Sequence, residues 1–572
     1  MTLSTSSPSS ITVTLQQLLA ASSSDDRHSL QQVFTANMTA AVSELLNQMT
    51  AVQLDAVINI PFQQFCLDSR QLASNDVFVL LKSHTPNCQK SRDHLYQAAN
   101  NAAFILSEID PIALLATVNV PPHANLELTK TDNAKSIAQQ QLDTLPCPVL
   151  YIPHIRDFLG SLIQARLQYQ QPVILPTVIA VTGTNGKTTI SQLVAQLTQL
   201  TGISSAVMGT AGNGRLGALV QASHTTGDAL AVQQFLYQMG TDNAELLALE
   251  ASSHGLDQQR LQGMPVSVAI YTNLSRDHLD YHADMAEYAA AKAKLFDKAH
   301  FPDLTHAIIN IDDEHAQIML DTAHASNLTV WTYSLDSLKT ATFVAANITP
   351  SLQGVEISLR TDFDDGTMNH LDIVSPLLGR FNVANLLAAI AAAVGLGISL
   401  ESIATVIPQL QGAIGRMQRV PSNDGCFIVD YAHTPDALSQ VLASLKTHCK
   451  GQLWAVFGCG GDRDAGKRPL MAQAGLAGAD KVVLTADNPR TEDPNAILQD
   501  MQAGMTSEQY QRTHIEPARQ AAIEYAVNQA AADDIVVIAG KGHETYQEIN
   551  HVRYDFDDSV ILQNALKQAG RV

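Results

Sequence analysis

The sequence predicts an α/β protein of three domains, and three observations carry that reading. The chain has 572 residues, too long for one hydrophobic core when domains run to about 150 residues. Short apolar runs alternate with amphipathic stretches of helical length along most of it, the pattern of parallel sheets with helical crossovers. One strand–helix junction, TVIAVTGTNGKTTISQLVAQLTQLTG at 177–202, holds a glycine-rich turn ending in Lys-Thr-Thr, as a phosphate-binding loop does.

Residues 1–60 are rich in Ser, Gln and Ala, with only weak amphipathic patches, and are expected to form a loosely attached extension. A small α/β domain is expected over 61–172, with DVFVLL and AAFILSE as strands and a polar surface excursion near 120–143. Over 173–412 the strands TVIAVT, ELLALE, VSVAIYTN and HAIINID continue the alternation, and the helical LLGRFNVANLLAAIAAAVGLG closes a P-loop, parallel-sheet domain. From 413 to 572 the runs CFIVDYA, LWAVFG, KVVLTAD and DIVVIAGKG alternate with helices again, giving a doubly wound, Rossmann-like third domain.

Composition narrows the function classes. Apolar residues make up 46% and charged residues 16%, a globular balance. The net charge of −21, from 55 acidic against 34 basic side chains, disfavours a nucleic-acid partner, which needs a positive footprint. No apolar run reaches the roughly 18 residues of a membrane span, and the first thirty residues lack the basic and apolar regions of a secretory signal. Six cysteines without a CxxC or CxxH pair argue against a zinc site or disulfide framework. A cytoplasmic protein is expected.

The candidate chemistry starts at GTNGKTT, 183–189. Backbone N–H groups of such a turn and of the helix after it form an anion cradle, Lys187 adds a point charge, and the Thr188 hydroxyl suits Mg²⁺. Two possible partners for a cation follow. Glu250 ends the strand ELLALE, and His278 lies in TNLSRDHLDYH after the next strand. Both stand at carboxyl ends of strands, where doubly wound sheets bind ligands. Taken alone, Glu250 reads as a solvated strand end, His278 as an ordinary loop histidine and Lys292 as a solvated helix lysine.

The conjunction of GTNGKTT, LEASSHGLDQQR, TNLSRDHLDYH, YAAAK, GRFNVANLLAA, DYAHTPDAL, GCGGDRDAGKRPLM, DNPR and AGKGHE closely resembles the Mur ligases. The resemblance implies three domains, ATP and Mg²⁺, and ATP-dependent amide formation in peptidoglycan precursor synthesis by a monomer. It assigns Gly183, Thr184, Asn185, Gly186, Lys187, Thr188 and Thr189 to the ATP loop, with Asn385, Arg416 and Asp430 as further nucleotide contacts. Glu250 and His278 take the metal positions beside Thr188. Lys292 falls on a lysine carbamylated by CO₂, whose carbamate would serve a second Mg²⁺; Lys187, His278 and Lys292 are the implied catalytic residues. Leu67, Ser69, His84, Thr85 and Pro86 resemble a uridine-nucleotide site in the first domain. Thr225, Thr226, Ser252, Gln258 and Arg260 resemble the site for the muramoyl dipeptide, so UDP-MurNAc-L-Ala-D-Glu is the implied acceptor.

The loop TADNPRTEDP bears on the second substrate. Diaminopimelate differs from lysine by one distal carboxylate, and a guanidinium pairs with a carboxylate bidentately. The resemblance assigns Arg463, Asp487, Asn488, Pro489, Arg490, Gly540 and Glu544 to a diaminopimelate pocket, with Pro489 holding Arg490 in place. Glu492 and Asp493 have no assigned role. The readings left beside this one are a lysine-adding relative, which would lack the arginine of DNPR, folylpolyglutamate synthetase, and a nucleotide switch without ligase activity.

Overall fold

The computed structural model describes residues 11–23, 36–83, 88–116, 132–222, 224–279, 281–351, 354–363, 368–413 and 415–572. Its architecture is mixed α/β around three largely parallel sheets. The first has four parallel strands in the order Phe65–Cys66, Val77–Leu80, Phe104–Ser107 and Val149–Tyr151. Val77–Leu80 and Phe104–Ser107 are buried at every position, as strands covered on both faces must be.

Part of that cover comes from the segment expected to hang loose. Helices Leu15–Ser23, Ala36–Asn47 and Ala51–Val57 place Leu15, Leu18, Val42, Leu45 and Val57 in the core with Phe65, Val79 and Leu162. Val13 pairs with Phe62 across an isolated bridge, and Arg166 donates to the Ile11 carbonyl at 2.6 Å. The described part of 1–60 therefore belongs to the first domain. Its apolar positions are too sparse to announce a helix face alone, and only the strands they cover reveal their use. Of the excursion expected near 120–143, residues 120–131 lie outside the described residues. Asp132–Asp143 is a helix whose Ala138 is buried in a core with Leu114 and Leu95.

The second sheet has ten strands. Ser205–Gly209, Leu246–Glu250, Thr177–Thr182, Val266–Tyr271, His306–Asn310 and Thr329–Ser334 run parallel in that spatial order. Thr177–Thr182 thus lies between the strands that end at Glu250 and precede His278, so both residues emerge beside the phosphate loop. Three further strands, Phe343–Ser351, Gly354–Asp362 and Met368–Ser375, extend the far edge; the last two pair antiparallel. The sequence reading missed them, although the inside–outside alternation of GVEISLRTD carries a strand period. Arg380–Gly395 is apolar on nearly every side because it packs between the sheet and the helix Lys187–Leu200.

The third sheet runs Gln418–Val420, Cys426–Asp430, Ile535–Ala539, Leu453–Phe457, Lys481–Leu484 and Thr513–Ile515, parallel except at its first edge. Loops after Leu453–Phe457, Lys481–Leu484 and Ile535–Ala539 leave the same end of adjacent strands. A fully buried ion pair ties that end together. Arg519 meets Asp558 at 2.7 and 2.8 Å and donates to the Ala539 carbonyl at 2.9 Å.

The N-terminal helices yield a direct check. Leu45 is fully buried, so Leu45→Ala should cost the first domain about 2–5 kcal/mol, read as an earlier urea transition. An unchanged midpoint would return these helices to the status of an appendage.

Candidate active site

The strand Thr177–Thr182 gives way to Gly183 and Gly186, both at positive φ (146° and 88°). A Cβ at Gly183 would lie 1.8 Å from Thr272 Oγ1, so the tight turn requires glycine there. The helix Lys187–Leu200 starts with no side-chain cap. Its first N–H groups face a cavity of about 490 Å³ lined by Thr184, Lys187, Thr188, Glu250, Asn385 and Arg416. Asn185, Thr189 and Asp430 also line it. The sequence-predicted nucleotide residues thus converge on one space.

Within it, Lys187 Nζ donates to the carbonyls of Gly183 and Thr184 at 2.9 and 2.8 Å. Burial lowers its pKa, and the Glu250 carboxylate acts in the opposite direction. Glu250 is almost fully buried and accepts from Thr188 Oγ1 at 2.9 Å and from the Thr210 amide at 2.8 Å. A Cβ at Gly209 would sit 2.1 Å from its Oε1. The Thr188 hydroxyl and this carboxylate are adjacent hard oxygens, a donor set that suits a Mg²⁺ sharing phosphate and water ligands. His278 does not join them closely. Among the described residues no group of three His, Cys, Asp or Glu side chains gathers at metal-binding spacing.

His278 lies instead on a second cavity, about 400 Å³, with Lys187, Thr225, Ser252, Arg260 and Lys292; Thr226 also lines it. Its backbone is left-handed, φ 54°, and its Nε2 stands 3.6 Å from Asp277 Oδ2. Lys292, which pattern alone makes a solvated lysine, is 1% exposed. Its Nζ donates to the Gly183 carbonyl at 2.8 Å and lies 4.5 Å from the centre of the Tyr288 ring. Burial first, and the nearby Lys187 charge second, hold its pKa well below the usual lysine range. Thr226 Oγ1 donates to the Glu250 carbonyl, and Ser252 Oγ caps the helix Ser253–Asp257 by accepting from the Gly255 amide. Arg260 donates to Thr226 O and, through two nitrogens, to Gln258 Oε1.

Gln258 and Arg260 also line a third space of about 270 Å³ with Lys82, Arg156, His224 and Asp228. Arg156 closes its floor. It pairs with Glu108 at 2.8 Å and donates to the carbonyls of Gln258 and Lys82, joining the first two domains. Leu67 and Ser69 are not among its lining residues. Leu67 packs against the first core, and Ser69 Oγ bonds His94 and Gln97. His84, Thr85 and Pro86 lie outside the described residues.

Two nucleotide assignments have structural duties as well. Both Asp430 oxygens accept backbone amides, Met417 at 2.7 Å and Ala432 at 2.7 Å, so this buried carboxylate clamps the chain entering the third domain. Burial raises its pKa. Asn385 binds Asn382 and places its Oδ1 where a side chain at Gly186 would lie, 2.6 Å from that Cβ. Arg416 stacks over Tyr431 at 4.6 Å, Tyr431 lies 5.0 Å from the His543 ring, and Gly415 would place a Cβ 2.1 Å from the His543 amide nitrogen.

At the end of the third sheet, Arg490 also adopts a left-handed backbone, φ 51°. Its amide donates to Glu548 O at 2.9 Å, its Nη1 to Gly461 O at 2.8 Å, and its Nε stands 3.8 Å from Glu548 Oε2. The exposed Arg463 shares this corner across Gly460, where a Cβ would meet both arginines. The Asn488 amide donates to Glu544 Oε2 and accepts from Lys541 Nζ and the Glu548 amide. Asp487 Oδ1 is buried without a hydrogen bond, and a Cβ at Gly540 would press on Oδ2 at 3.3 Å. Glu492 and Asp493 are not simply solvated. Glu492 pairs with buried Arg468 at 2.7 Å, and Asp493 caps the helix Pro494–Gln502. Sequence reasoning missed Thr210, Arg156, Lys541 and Glu548, and Lys541 alone had a visible signal, standing inside AGKGHE.

The chain matches the family description "Mur ligase middle domain" over 181–393 and "Mur ligase, glutamate ligase domain" over 415–542. It is 47% identical over 399 residues to the UDP-N-acetylmuramoyl-L-alanyl-D-glutamate–2,6-diaminopimelate ligase of Pseudomonas aeruginosa, covering 70% of this chain and 79% of that one. Its identity to the enzyme of the same name from Vibrio vulnificus is 38% over 525 residues, 91% of this chain and 98% of that one. A solved structure of such a ligase superposes with a TM-score of 0.66 at 44% identity, covering 90% of this chain and 96% of the other. With its cradle, its buried Lys292 and a relative matched over 91% of its length, the chain belongs to the Mur ligase family.

Proposed function

We propose that this chain joins meso-diaminopimelate to the γ-carboxylate of the D-glutamate in UDP-N-acetylmuramoyl-L-alanyl-D-glutamate, at the expense of ATP, in peptidoglycan precursor synthesis. The observation that carries it is the position of Lys187, a wall of both the phosphate-loop cavity and the cavity with Thr225, Arg260, His278 and Lys292. One cation thus faces both a nucleotide and a second anionic substrate. The relatives named above carry this activity in their names.

The chemistry requires such a shared boundary. A carboxylate and an amine do not condense in water because the oxygen leaves poorly. In the first step the γ-carboxylate oxygen forms a bond to the γ-phosphorus of ATP while the bond to the β-phosphate oxygen breaks, giving an acyl phosphate and ADP. In the second the diaminopimelate amine attacks the acyl carbon, inorganic phosphate leaves and the amine gives up a proton. Lys187 and the loop amides hold the transferring phosphoryl group; Arg260 and Thr225 orient the dipeptide. Thr188 and Glu250 would hold Mg²⁺, which supplies charge neutralisation on the phosphates, and His278 stands on the acceptor side. Lys292 in its neutral form has the free amine that combines with CO₂, and the resulting carbamate would present an anion to the same space. Arg490 and Arg463 read the distal carboxylate, leaving Asp487 and Glu544 for the ammonium beside it. No helix among the described residues is long and apolar enough to cross a membrane, and the protein acts as a cytoplasmic monomer in this reading.

Phosphate release from ATP should require both UDP-MurNAc-L-Ala-D-Glu and meso-diaminopimelate. L-Lysine should be at least about a hundredfold poorer in kcat/KM, because it leaves a guanidinium without its partner. Equal turnover of the two amino acids in a coupled phosphate assay would refute the specificity. Lys292→Ala should lower kcat by about a hundredfold or more, with partial recovery on adding acetate; an unimpaired variant would remove the carbamate from the mechanism.

A further inference from the structure

The amino-acid pocket contains a buried cation with no part in the chemistry above. Lys541, in the turn after the strand Ile535–Ala539, is fully buried. Its Nζ donates to Asn488 Oδ1 at 3.0 Å and Glu544 Oε2 at 3.2 Å, and stands 3.6 Å from Asp487 Oδ1. Three polar residues assigned to diaminopimelate are therefore neighbours of one ammonium. The arrangement continues outward, since Asn488 Oδ1 also accepts from the Glu548 amide at 2.9 Å. Glu548 in turn holds Arg490 through its carbonyl, at 2.9 Å, and its carboxylate, at 3.8 Å.

Electrostatics explains why a cation is needed there. Asp487 and Glu544 are close carboxylates at the end of one sheet, and without a countercharge their repulsion would turn one aside. Lys541 supplies that charge from below and leaves Asp487 Oδ1 as a buried acceptor with no hydrogen bond of its own. That oxygen is turned inward toward Lys541, so the cation's charge, not a hydrogen bond, holds the carboxylate. The Asn488 amide joins Lys541, Glu544 and the Glu548 backbone, so it carries the position of each to the others.

We propose that Lys541 is a positioning residue for the incoming amino acid. It sets Asp487 and Glu544 to receive an ammonium and, through Asn488 and Glu548, sets Arg490 to receive the distal carboxylate. The proposal rests on the reading of this pocket as the diaminopimelate site. Lys541→Met keeps the length and removes the charge; Lys541→Arg keeps the charge in a bulkier group.

Steady-state kinetics of the full chain should show KM for diaminopimelate rising about 10- to 100-fold in Lys541→Met. KM for ATP and for the UDP-linked substrate should stay within about twofold, because neither ligand meets this network. The preference over L-lysine should narrow, and Lys541→Arg should retain more diaminopimelate affinity than Lys541→Met. A packing role predicts the reverse order, since methionine is the better fit in volume. Both variants are first tested for thermal stabilisation by ATP. If neither is stabilised, the lysine serves the fold alone and the proposal is overturned. It is equally overturned if wild type discriminates but Lys541→Met keeps its diaminopimelate KM and its discrimination. Failure of the wild type to prefer diaminopimelate would instead overturn the substrate assignment itself.

Discussion

The carbonyl of Gly183 receives two lysine side chains, the half-buried Lys187 at 2.9 Å and the buried Lys292 at 2.8 Å. Much of the site follows from this crowding. Two like charges beside one acceptor in a desolvated space raise each other's energy, and Glu250 is the carboxylate that offsets the charge at Lys187. The arrangement calls for further anions. A triphosphate on one side and an acidic dipeptide on the other meet that demand, as does conversion of Lys292 to a carbamate. The glycine that permits the crowding is itself enforced, because Thr272 occupies the space where its side chain would be.

The parts of this protein legible in sequence are those in which neighbours along the chain are neighbours in space. The phosphate loop is one, with glycines, lysine and threonine consecutive and a strand and a helix on either side. Glu250 was legible by a weaker argument, from its place at a strand end. Lys292 was not legible from pattern, since a lysine in an alanine-rich helix gives no sign of the fold that buries it. The N-terminal helices and the antiparallel strands at 343–375 were missed for the same reason: their apolar positions acquire meaning only from the sheet they cover or extend.

Polar side chains in the third domain make the limit sharper. Motif resemblance places Asn488 and Asp430 in binding sites without saying what else holds them. Asn488 bonds Glu544, Lys541 and the Glu548 backbone, and both Asp430 oxygens accept backbone amides. The bonds of Asn488 arise between loops 53 to 60 residues apart, and no local spacing records them. The charged look of TADNPRTEDP has the same origin. Arg490 and Glu492 secure the loop to 461 and 468, and the ligand-facing group is one among several with internal work.

The contact between Gly415 and His543 bears on how two sites adjoin. Arg416 belongs to the nucleotide cavity, and its guanidinium covers Tyr431, whose ring lies against His543, the residue before Glu544. The cavity at the phosphate loop and the loop that carries Glu544 thus adjoin through one stack of side chains. A side chain at 415 would therefore disturb both sites at once, since its Cβ would lie 2.1 Å from the His543 amide nitrogen.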